Sequence, residues 1–265
     1  MTLRLYAILY LAFLYAPIAL LPIFAFNDGT VIAFPLRGFT FEWFRQLTEI
    51  PALHAAVLNS LVIAVSSAVI ATLLGICAAR AATRFSFPGK RGILGLVMLP
   101  LVLPEIIVAV SLLVVLLQLG LGLGAWTVIL GHVLICVPFS IAILNSAFQS
   151  LDRSLEEAAI DLGETRWSSF RLVTLPLVMP GIISSLLISF TISLDEFIIA
   201  FFLTGTEPTL PVYLWSQLRF PQKIPVVMAL GTLLVLASVL LLTIAEYARR
   251  RGVARTGQKD SGGFL

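Results

Sequence analysis

Six stretches of this chain run for about 20 residues almost without charge, the length an α-helix needs to cross a hydrocarbon layer ~30 Å thick. They lie near residues 5–26, 55–79, 93–118, 127–148, 177–203 and 225–247. Inside lipid every backbone amide and carbonyl must find a partner within the protein, so runs of this kind fold as spanning helices. Composition agrees: 59% of residues are apolar and 12% charged, with a mean hydropathy of +1.04. A water-soluble domain needs far more polar surface. The expected fold is an all-α membrane protein with six transmembrane helices, a single domain over 1–248 and a flexible basic tail over 249–265. Gly120, Gly122 and Gly124 mark the turn between the third and fourth spans. The first run exceeds the roughly 7–15 apolar residues of a signal peptide and lacks a small-x-small cleavage site, so it reads as a retained helix.

Orientation follows from Lys and Arg, which are retained on the cytoplasmic side of short connections. With the N-terminus inside, the inner segments carry Arg4, then Arg80, Arg84, Lys90 and Arg91, then Arg153, Arg166 and Arg171, then the arginines at 249–251 with Arg255 and Lys259. The outer segments hold only Arg37, Arg45, Arg219 and Lys223. Both termini, and the loop over 149–176, are therefore expected in the cytoplasm.

That loop is a polar island between two apolar runs. Ser154 and Glu157 have the spacing of a capping box, which predicts a short helix beginning at Ser154. Leu151, Leu155, Ala158, Ala159 and Leu162 fall on one face of it at helical spacing, with Glu156, Ile160 and Asp161 elsewhere around the axis. Gly163 suits the left-handed position that closes a helix. A second short helix is expected from about Thr165 to Val173, with Pro176 opening the next span. Small side chains at Ala158 and Ala159 permit close approach by a partner.

The order Glu157-Ala158-Ala159, Gly163, Val173, Leu175-Pro176 resembles the EAA loop of permease subunits in binding-protein-dependent ABC importers, with Val173 where isoleucine is usual. The resemblance implies a type I importer permease fold. It also implies that Glu157, Ala158, Ala159, Gly163, Leu175 and Pro176 couple the chain to a cytoplasmic ATPase. Phe39 to Phe44, Leu58 to Leu61, Leu103 to Ile106, Ser193 to Phe197 and Leu210 to Tyr213 extend the likeness along nearly the whole chain, to the second permease of spermidine/putrescine importers. By this resemblance the partners are a second permease of similar fold, two ABC ATPase subunits that bind ATP and Mg, and an extracytoplasmic solute-binding protein. The setting it implies is the bacterial inner membrane, and the solute is a polyamine or a related small cation.

Charged side chains are costly in lipid and normally face a cavity or a partner. Glu105, Asp195 and Glu196 lie inside the expected spans and are candidates to line a path for a cationic solute. Adjacent helical residues point about 100° apart, so at most one of Asp195 and Glu196 should face that path. The alternative is a structural role for each acid, bonded to backbone groups freed by Pro100 and Pro104 or to a partner subunit. His132 reads as a hydrogen-bonded interhelical residue rather than a proton relay. Cys77 and Cys136 have no metal or disulfide pattern and are expected to be buried by packing.

Enzymatic readings find no support. No phosphate-loop motif is present, since Gly89-Lys90 is followed by Arg91 and lacks its upstream glycine. The H-E-x-x-H, paired-cysteine and G-x-S-x-G patterns are missing too, and neither a metal nor a nucleic acid is expected. Three other readings remain open: an ABC permease for another small solute, an ion-coupled secondary transporter that protonates Asp195, Glu196 or Glu105, and a membrane scaffold.

Overall fold

The computed structural model describes residues 2–256, and every regular element among them is a helix. In chain order these are α1 (Thr2–Ala25), α2 (Glu42–Thr48), α3 (Pro51–Arg84), α4 (Lys90–Val97), α5 (Glu105–Gln118), α6 (Ala125–Gln149) and α7 (Arg153–Asp161). They are followed by α8 (Arg166–Ser169), α9 (Leu175–Asp195), α10 (Ile198–Leu203), α11 (Leu210–Gln217) and α12 (Ile224–Thr256). Among the described residues, five helical stretches are long and apolar enough to cross a membrane: Leu3–Ala25, Pro51–Arg84, Ala125–Gln149, Arg166–Asp195 and Pro221–Leu240.

The expected spans and the helices differ at three places. The third span, 93–118, is interrupted: α4 ends at Val97, a 3-10 turn covers Leu99–Leu101, and α5 starts at Glu105. Pro100 and Pro104 cause the break, because each lacks an amide donor and disfavours helical backbone in the residue before it. The fifth span, 177–203, also breaks: α9 stops at Asp195, Glu196 takes an extended conformation (φ −68°, ψ 122°), and α10 begins two residues later. Finally, the second loop helix is not separate. α8 continues through a π-helical turn, Phe170–Thr174, directly into α9. The wider turn lies just before Pro176, whose ring would otherwise meet the carbonyl four residues back. At the far end α12 stays helical to Thr256; the rest of the expected basic tail, 257–265, lies outside the described residues.

The chain divides into two compact units. In the unit formed by residues flanking 52–213, α1 and α2 both pack on α12. Its loop is closed by aromatic packing, with the Phe26 and Phe39 rings stacked at 5.0 Å, and by Trp43 Nε1 donating to the Asn27 carbonyl at 2.8 Å. α1 otherwise presents Leu3, Tyr6, Phe13 and other large apolar side chains outward, a surface suited to lipid or another apolar partner.

In the central unit α6 packs along α9, and α10 packs on α5 and α6. Ile63, Val128, Ile135, Ile199 and Leu203 form one core, and Leu144, Phe148, Phe170 and Val178 another. Membrane helices associate through small residues and interhelical hydrogen bonds rather than apolar burial. Both devices are present. A Cβ at Gly131 would come within 2.4 Å of the Ile199 side chain, so the glycine lets Ile199 of α10 pack directly on the α6 backbone. Hydroxyl pairs join Thr72 to Ser185 at 3.1 Å and Ser140 to Ser189 at 2.9 Å. Cys136 is buried as expected, but Cys77 is exposed, on the outer face of α3 between the buried Gly75 and Ala79.

Candidate functional site

The polar island folds as α7, and its cap is Asp152 rather than Ser154. Asp152 has extended backbone (φ −65°, ψ 127°), and its carboxylate accepts from the Ser154 amide at 3.0 Å. The aspartate is reached first by the chain, so Ser154 falls inside the helix and no Ser154–Glu157 box forms. At the other end the Gly163 amide donates to the Ile160 carbonyl at 2.9 Å and the Glu164 amide to that of Ala159 at 3.1 Å. This is a Schellman closure, and it requires the φ of +94° that Gly163 adopts.

Between these ends Ala159 is buried, whereas Glu157, Ala158, Leu162 and Gly163 are exposed. The apolar face expected from the helical spacing points outward in large part: Leu162 is 88% exposed, and Trp167 on α8 is 69% exposed. Leu175 is half-buried and Pro176 exposed at the start of α9. The result is a surface capped at both ends on which Glu157, Asp161 and Glu164 are exposed beside the apolar side chains of Leu155, Ala158 and Leu162.

The Asp152 cap has a pH consequence. Hydrogen bonding to the Ser154 amide holds its carboxyl below the usual carboxylate range. A lowered folded-state value stabilises α7 at neutral pH, and the contribution fades as pH falls through that value. Asp152→Ala is expected to accelerate amide exchange at Ser154 and Leu155 at pH 7, and to make no difference at a pH where the wild-type carboxyl is protonated. Exchange mass spectrometry of the two proteins checks this.

Glu156, which the sequence left without a role, holds α7 in place. Its Oε2 lies 3.0 Å from Arg84 Nε, and its Oε1 accepts from Thr174 Oγ1 at 2.8 Å. Arg84 also donates to the Leu151 carbonyl at 3.3 Å, and Arg153 donates to the Thr83 carbonyl at 2.7 Å. Beside this network an open cleft of about 330 Å³ is lined by Arg80, Arg84, Arg153, Glu156, Glu157 and Arg166, among others. No local sequence signal marks a pair 72 residues apart.

The three acids of the apolar runs separate. Glu105 is exposed in the first turn of α5, on an open cleft of about 630 Å³ with Pro100, Leu101, Ile135, Phe139 and Ile192. Asp195 is exposed at the last residue of α9. Glu196 is 7% exposed, and its carboxylate accepts from the Ile199 amide at 3.0 Å and the Ala200 amide at 3.2 Å, capping α10. The same carboxylate lies 3.4 Å from Nε2 of the fully buried His132, whose Nδ1 is hydrogen bonded to Ser193 Oγ at 2.6 Å. His132 is thus an interhelical tie between α6, the end of α9 and the break after it.

The site is thus a capped, outward-facing loop helix at an arginine-rich end of a helical membrane chain. Residues 71–254 match the model of the binding-protein-dependent transport system inner membrane component. The chain is 34% identical over 253 residues to the spermidine/putrescine transport system permease protein PotC of Shigella flexneri, covering 95% of this chain and 93% of that one. It is 38% identical over 248 residues to the putrescine transport system permease protein PotI of Escherichia coli (strain K12), covering 90% and 87%. Among solved structures it shares its fold with a bacterial ABC transporter involved in the import of the acidic polysaccharide alginate, at a TM-score of 0.74 over 94% of each chain and 21% identity. The chain belongs to the family of binding-protein-dependent transport system inner membrane components.

Proposed function

We propose that this chain forms half of the translocation pathway of an ATP-driven importer for polyamines or a related small cationic solute. The observation that carries the reading is α7: a short helix capped at both ends, with Glu157, Ala158, Leu162 and Gly163 facing outward beside Trp167. Full-length similarity to permeases named for spermidine and putrescine supports the choice of solute.

In this reading the chain crosses the membrane six times, with α4 and α5 together making the third crossing as a broken helix and both termini in the cytoplasm, as the Lys and Arg distribution favours. A second permease completes the pore, two ABC ATPases bind ATP and Mg, and an extracytoplasmic binding protein delivers the solute. ATPase closure moves α7, and through it the spanning helices, between inward-facing and outward-facing forms. Tighter ATP binding to one form supplies the free energy for the exchange. Asp195 and Glu105, both exposed, are the carboxylates proposed to meet the cation, whereas Glu196 serves them indirectly by holding the α9–α10 break.

The test is uptake of labelled putrescine and spermidine into proteoliposomes holding this chain, its partner permease, the ATPase and the binding protein. Competition by polyamines and not by neutral or anionic solutes is expected. Competition by an anionic solute alone would overturn the polyamine assignment.

A further inference from the structure

The coupling reading places force on α7 but leaves open how a nine-residue helix passes that force to the membrane. Its covalent connections are short turns at Ser150–Asp152 and Leu162–Thr165, and a helix held only by turns can tilt without moving what it is joined to.

We propose that Glu156 and Arg84 are positioning residues for energy coupling, which lock α7 to two spanning helices at once so that it moves with both. The inference rests on the coupling role assigned to α7 above. Each oxygen of the Glu156 carboxylate goes to a different helix: Oε2 to Arg84, the last residue of α3, and Oε1 to Thr174, in the π turn that leads into α9. Backbone atoms reinforce both joints. Arg84 and Arg153 exchange bonds with the Leu151 and Thr83 carbonyls across the α3–α7 joint. On the α9 side Ser169 Oγ donates to the Glu156 carbonyl at 3.4 Å. The Arg80 guanidinium sits 3.9 Å over the Phe170 ring, so α3 also grips the π turn directly.

Burial makes the joint firm. The Arg84 and Glu156 side chains are only 11% and 19% exposed, so salt screens the pair far less than a surface ion pair. The paired design also divides labour between adjacent residues. Glu156 faces the molecule and fastens the helix, and Glu157 faces outward where a partner reaches it.

The experiment uses the assembled importer in proteoliposomes and three readouts: solute transported per ATP hydrolysed, co-purification of the ATPase, and disulfide cross-linking of the ATPase to a cysteine placed at Leu162. Glu156→Gln and Arg84→Met are each expected to leave co-purification and cross-linking intact while lowering transport per ATP by at least about fivefold, the scale of a typical coupling energy. The charge-swapped double variant, Glu156→Arg with Arg84→Glu, is expected to recover most of the ratio. Wild-type ratios in both single variants would overturn the proposal. So would loss of ATPase co-purification in the conservative Glu156→Gln variant, which would make the pair a builder of the docking face only. Absence of the Leu162 cross-link in the wild-type complex would instead sink the coupling reading beneath it.

Discussion

Glu196→Ala is expected to destabilise the central unit by about 2 kcal/mol, within the ~1–3 kcal/mol that leaving buried donors unsatisfied costs. The carboxylate accepts the Ile199 and Ala200 amides that open α10 and faces His132 at 3.4 Å, all in a setting where water cannot substitute. Its removal orphans two donors and leaves a buried imidazole facing an empty site. Thermal unfolding of the purified chain in detergent should show a clearly lower midpoint, and transport should fall with it because Asp195 loses its fixed position beside the break. Glu196→Gln keeps an acceptor oxygen for the α10 amides and should lose less. An unchanged midpoint for Glu196→Ala would mean that the α9–α10 break is held by something other than this cap.

Gly163→Pro should abolish coupling while leaving insertion intact. Proline locks φ near −65°, whereas Gly163 sits at +94°, and the substitution also deletes the amide that donates to Ile160. Together these cost about 3 kcal/mol or more at the helix end and dissolve the Schellman closure that shapes the α7 surface. ATP-driven uptake is expected to drop by at least about tenfold, the factor that 1.4 kcal/mol represents. Glu157→Lys, which reverses an exposed charge in the middle of α7, should act in the same direction without unfolding the helix. Transport at the wild-type rate in both variants would contradict the role assigned to α7.

The spanning helices were legible because burial in lipid imposes a long, charge-free run that few other structures produce. The same simplicity hid their breaks. Hydropathy passes smoothly over Pro100 and Pro104, and it reads Asp195-Glu196 as two charges in a helix when one ends the helix and the other caps the next. Whether Glu196 faces a path or an amide depends on His132, brought beside it only by the packing of α6 against α9. In the loop, the glycine that closes α7 could be placed from residue type alone, since few other residues tolerate its φ. The start could not, because Asp152 and Ser154 are both good caps and local order decided between them. Glu156 was invisible as an anchor for a different reason: its partners Arg84 and Thr174 come from opposite sides of it in the chain, and nothing near either one announces the joint.

The central claim is that ATP, acting through α7, drives solute through this chain. It is tested most directly by measuring polyamine uptake in proteoliposomes of the complete importer with enclosed ATP held constant and the proton gradient collapsed by an uncoupler. The account predicts that uptake continues at an undiminished rate and stops when a non-hydrolysable ATP analogue replaces ATP. Uptake that stops with the uncoupler and persists without ATP hydrolysis would contradict it, and would make Asp195, Glu105 and Glu196 proton carriers of an ion-coupled transporter.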